Sequence, residues 1–130
     1  MQSPVPHPGG SARVTQSEIQ QAIRTQALVR LGVLGAEETP SAADDATAVA
    51  ALARVVDDLG ARGEVWFTAD ALPEETRHVL TLLLAADLAD AFGLPEDRLR
   101  RLLAEAQEAR RALRGMGRAV TTGPVNFTNY

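Results

Sequence analysis

A chain of 130 residues is long enough for one domain around a single core and too short for a conventional two-domain enzyme. Hydrophobic residues make up 45% of it but aromatic residues only 4%, and alanine and leucine supply most of the apolar content, which favours packed helices over a sheet sandwich. The absence of cysteine excludes a disulfide scaffold, a thiolate metal site and a cysteine nucleophile, and a formal net charge of −4 argues against bulk polyanion binding.

Residues 1–14 combine three prolines, two glycines and small polar residues, a composition too poor in apolar surface to offset the entropy of ordering, so a flexible arm is expected. It has neither a basic start nor an apolar stretch, and no secretory signal is expected. Thr15 and Glu18 then have the spacing of a capping box, and Ile19, Ala22, Ile23, Ala27 and Leu31 recur at helical spacing. A first helix over about 16–31 follows, with Gly32 and Gly35 as its stops. Ser41, with Asp44 three residues on, opens a second helix whose larger apolar residues Val49, Leu52, Val56 and Leu59 draw one stripe. Gly60 and Gly63 are expected to end it.

The segment Glu64-Val65-Trp66-Phe67-Thr68 is rich in β-formers but too short for a sheet, and it reads as an extended connector or a short hairpin edge. Leu72-Pro73-Glu74-Glu75 places proline in a first turn and acids beside the positive end of the helix dipole. The third helix runs to Phe92 and stops at Gly93. Its greasy run, Val79 to Ala86, is far below the ~20 residues that span a bilayer. Leu94-Pro95-Glu96-Asp97 repeats the starting device for a fourth helix ending near Arg114, with Leu99, Leu102, Leu103, Ala106 and Leu113 as its apolar set. Beyond Gly115 and Gly117 an extended tail is expected, to which Val125, Phe127 and Tyr130 give adhesive surface. The reading is therefore all-α: an arm at 1–14, a four-helix domain at 15–114 and a docking tail at 115–130.

Charge is distributed unevenly along this plan. Residues 36–97 hold fourteen acids against three arginines, whereas residues 98–130 hold seven arginines against Glu105 and Glu108. Such polarity suits ordered stacking against neighbours, with the basic last helix meeting the acidic middle of another copy. Glu105 and Glu108 also lie within three to five residues of Arg101, Arg110 and Arg111, so that part of the arginine face would be paired locally.

Catalytic chemistry finds little footing. His7 and His78 are too far apart in the sequence to make a metal-binding pair, and the doublets Asp44/Asp45, Asp57/Asp58, Glu74/Glu75 and Glu96/Asp97 are mostly helix-start chemistry. The glycines follow helices and fail the context for a phosphate loop. No catalytic residue, cofactor site or metal site is assigned. The arginines of the last helix remain, as phosphate-gripping groups of a small DNA-binding regulator or as a protein interface.

The run Ala27-Leu28-Val29-Arg30-Leu31-Gly32-Val33-Leu34-Gly35, then Glu38-Thr39-Pro40-Ser41, then an alanine-rich helix ending near Asp57-Asp58-Leu59 and Gly63, resembles the helical head-to-tail adaptors of tailed bacteriophages. These are also called head-completion or packaged-DNA stabilisation proteins, and the likeness is strongest to the first tail accessory factor of short-tailed phages. The stretch from Leu72-Pro73-Glu74 to Phe92-Gly93-Leu94-Pro95 is similar to the same family's second half, and the likeness covers about residues 19–114. It implies a non-enzymatic subunit of a ring beneath the portal, in the neck of a virion assembled in the host cytoplasm. Its implied partners are portal protein, neighbouring copies and a downstream tail protein, with packaged DNA passing through the channel and no membrane involved. On that reading Arg110, Arg111, Arg114 and Arg118, with Val125, Phe127 and Tyr130 of the tail, make the partner contacts. A channel through which DNA slides should not grip phosphates, so the acidic middle would line it while the arginine helix faces protein. The proline-rich arm and the lack of an aromatic near the end of the second helix, where Trp66 comes later, depart from the family pattern.

Overall fold

The computed structural model describes the backbone of residues 14–128 and the side chains of residues 14–120; all but Val14 of the expected arm at 1–14, and the tail residues Asn129 and Tyr130, lie outside the described residues. Within it the chain is all-α, with four helices: α1 (Gln16–Arg30), α2 (Ala42–Ala61), α3 (Arg77–Phe92) and α4 (Glu96–Thr128), plus a single 3₁₀ turn at Glu74–Thr76 before α3.

Local chemistry sets the helix ends. Thr15 accepts from the Glu18 backbone N–H while the Glu18 carboxylate accepts from the Thr15 N–H, the reciprocal pair that its spacing announced. Ser41 accepts from the Asp44 N–H at the start of α2. The other end of α1 closes on Gly32, whose φ of +80° lets the Val33 N–H reach back to the Leu28 carbonyl. The same six-residue closure recurs from Glu64 to Leu59 and from Leu94 to Ala89. Gly35 is not left-handed, and Gly60 lies inside α2, so only the second glycine of the 60/63 pair ends that helix.

Helix α3 is the hub and packs against each of the other three helices. It is accordingly buried on nearly every side, from Val79 through Ala85 and again at Leu88 and Ala89. The two buried hydroxyls on this path are satisfied locally: Thr76 donates to the Pro73 carbonyl at 2.7 Å and Thr81 to the Arg77 carbonyl at 2.8 Å. Around the hub the core is closed by Ile19, Ile23, Ala27 and Leu28 of α1, Ala48, Ala51, Leu52, Val56 and Leu59 of α2, and Leu102, Ala106, Ala109 and Leu113 of α4.

Two expected core positions face out. Val49 and Leu103 are each 47% exposed, whereas Ala48, Ala51 and Ala109 point inward. On α2 the expected stripe is buried at Leu52, Val56 and Leu59 but not at Val49, and Ala48 and Ala51 complete the inward row, small side chains that let helices approach closely. The β-rich segment at 64–68 forms no strand and no hairpin edge; it is an irregular connector. The stretch that follows it is tied down from α1, where the Gln16 amide both accepts from the Leu72 N–H and donates to its carbonyl, and Gln20 donates to the Ala69 carbonyl.

The largest departure from expectation is the last helix. The predicted end near Arg114 and the extended tail are corrected: α4 continues through Gly115 and Gly117 to Thr128. Glycine inside a helix costs only about 1 kcal/mol relative to alanine, which neighbouring helical residues readily offset. At Gly117 the Trp66 ring lies against the helix, where an added Cβ would meet it at 3.4 Å.

Candidate interaction site on the last helix

The arginines expected to form a free face are divided by the fold. Arg98 sits over the end of α1, donating at 3.2 Å to the Arg30 carbonyl, where its charge opposes the negative end of the helix dipole. Arg30 itself pairs with Glu105 at 2.7 Å. Glu105 is therefore not the partner of Arg101 or Arg110, as local spacing suggested, but an anchor between α4 and α1. Arg100 pairs with Glu96 and Arg111 with Glu108 along the exposed surface, pairs that contribute little to stability.

The distinctive arrangement lies where the connector after α2 meets α4. Glu64 is mostly buried, accepts from Arg110 Nε at 2.9 Å and has Arg114 Nη1 at 3.7 Å, one helical turn further on. The Arg110 hydrogen bond holds the Glu64 carboxyl below the ordinary carboxylate range, against the opposing effect of burial, and the charges of Arg110, Arg114 and Arg62 add to the lowering. Beside it Trp66 and Phe67 pack edge to face with ring centroids 5.0 Å apart. Arg62, Gly63, Glu64, Val65, Trp66, Arg114, Gly117 and Arg118 together line an open cleft of about 550 Å³.

Sequence reasoning placed Arg110 and Arg114 on the last helix but put Arg118 in an extended tail, and it missed Glu64, Arg62 and Trp66, which come from the far side of α3 in the sequence. Arg111 turns from this cleft to Glu108. The backbone of Val125 and Phe127 lies in α4, while their side chains, like Tyr130, fall outside the described residues.

The acidic middle and the basic last helix meet within one copy at Glu64–Arg110, Glu64–Arg114 and Glu96–Arg100. The middle region's own arginines pair with its acids in Asp87–Arg54, Asp58–Arg62 and Glu74–Arg77, and Asp45 pairs with Arg24 of α1 at 2.9 Å.

A second depression of about 560 Å³ runs between α2 and α4, floored by Leu83 and Ala86 of α3 and bordered by Val55, Leu59, Leu103 and Ala106. Among the described residues no group of three or more His, Cys, Asp or Glu side chains could hold a metal ion, and no helix is long and apolar enough to cross a membrane. No family model, curated protein or solved structure matches the chain.

Proposed function

We propose that this chain is a structural, non-enzymatic subunit of a tailed-phage virion. It would form a ring with copies of itself below the portal vertex, join the head to a downstream tail protein in the neck, and help retain the packaged DNA. The observation that carries this reading is the length of α4 relative to its body. The helix has 33 residues, about 50 Å at the ordinary rise, and among those whose side chains are described, which end at Val120, the last buried one is Leu113. About 22 Å of helix, to Thr128, follows that point. A terminal helix of that length suits a subunit whose work is to reach other proteins.

The stretches that resemble the adaptor family occupy coherent places in the fold, which also supports the reading. Ala27–Gly35 forms the end and cap of α1, Thr39-Pro40-Ser41 leads into α2, and Phe92-Gly93-Leu94-Pro95 makes the turn from α3 to α4. The alternative of a DNA-binding regulator has less support, because Arg110 and Arg114 are engaged by Glu64 and Arg98 by a helix end.

Purified protein mixed with isolated portal particles and imaged in negative stain tests the proposal. An added ring at the base of the portal is the expected result. A regulator would instead shift a labelled duplex at low salt and lose it steeply as salt rises, with no added density on the portal.

A further inference from the structure

The cleft beside Trp66 combines features that the fold alone does not require. Its wall includes three guanidinium groups, Arg62, Arg114 and Arg118, and its apolar surface comes from Trp66 and Val65. The carboxylate already present, Glu64, is served mainly by Arg110 from outside this set of lining residues. Arg114 stands off at 3.7 Å with its side chain 46% exposed, and Arg62 makes only a surface pair with Asp58 at 3.3 Å. Each guanidinium carries five N–H donors, so both have donors to spare for a second acceptor.

We propose that this cleft binds an acidic peptide segment of a partner protein that carries an aromatic side chain, with a carboxylate between Arg62 and Arg114 and the aromatic ring against Trp66. Charge complementarity selects the carboxylate. Three arginines, Arg62, Arg110 and Arg114, stand against the two acids Asp58 and Glu64, an excess of positive charge in a chain that is acidic as a whole. Guanidinium forks match planar carboxylates in two-point contacts.

One observation favours a peptide over nucleic acid: the site is a concave cleft and not a row of exposed arginines along a groove-sized ridge. The other arginine-lined hollow, at Arg30, Arg98 and Arg101, lacks this character, since Arg30 is held by Glu105 and Arg98 by the end of α1. The inference concerns the recognition chemistry of one cleft and does not require ring assembly.

Trp66 is the only tryptophan in the chain and reports on the cleft directly. The probe is a synthetic peptide, Asp-Glu-Phe-Glu-Asp blocked at both ends, titrated into the full chain while Trp66 emission is followed. Binding should shift and quench the emission, weaken with added salt, and weaken roughly tenfold in Arg62→Gln and in Arg114→Gln, the loss of one charge-assisted contact. Arg62→Gln lies outside the Glu64–Arg110 pair and keeps the test valid if Arg114→Gln disturbs the helix, which circular dichroism would reveal. The proposal is overturned if Trp66 emission does not respond, or if the isosteric Asn-Gln-Phe-Gln-Asn peptide binds equally well. It is also overturned if inorganic phosphate competes as strongly as the peptide, or if both arginine variants bind like the parent.

Discussion

The two parts of α4 belong to one helix but are held by different means. From Leu102 to Leu113 it is fixed by burial: Leu102, Ala106, Ala109 and Leu113 face α3 at helical spacing and leave the core no other way to close. From Arg114 to Val120 the described contacts are of another kind and include a loose ion pair to Glu64, an indole against Gly117 and the partly buried Met116 beside the core. The first part specifies the fold, and the second meets the connector at 62–67.

Substitutions should separate these parts by size of effect. Leu113→Ala removes a fully buried side chain from the packed part and should cost about 2–5 kcal/mol in a denaturant titration. Glu64→Gln, at the joint, should cost about 1 kcal/mol at neutral pH, because Arg110 loses its charged acceptor. Its pH dependence has a definite sign. A carboxyl whose pKa is lowered in the folded state contributes stability that is present above its unfolded pKa and is lost as pH falls through the folded one. The acid-side decline of stability should therefore be shallower in Glu64→Gln than in the parent, and equal slopes would remove Glu64 from the account.

Smaller effects sharpen the comparison. At Gly115 an added Cβ meets nothing within 4 Å, so Gly115→Ala should stabilise the chain by about 0.5–1 kcal/mol if the helix runs through this position. Were the chain to stop being helical at Gly115, the same substitution would leave the melting temperature unchanged or lower it. Arg100→Ala, which breaks only the exposed pair with Glu96, should change stability within measurement error.

The joint shows where sequence reading loses its grip. Caps and stops at Thr15, Ser41, Gly32 and Gly93 were legible, because each is decided by residues within a turn of the helix end. Gly115 and Gly117 carried the same local signal as those stops and meant something else. Gly117 lies against Trp66, 51 positions before it, a contact no local signal announces, while a Cβ at Gly115 meets nothing. The stripe on α2 was legible at Leu52, Val56 and Leu59 and misled only at Val49, where close helix packing selects Ala48 and Ala51. Likewise Glu64 looked like part of a β-rich connector, and its role depends on Arg110 lying opposite once both helices are docked.

We propose that the packed part of α4 makes the domain while the part beyond it makes the attachment. Deleting residues 120–130 separates the two, with circular dichroism and thermal unfolding measured beside negative-stain images of portal particles. The expected result is a helical signal lowered only by the residues removed, an unchanged unfolding midpoint, and no ring on the portal. A truncated chain that still builds the ring would contradict it.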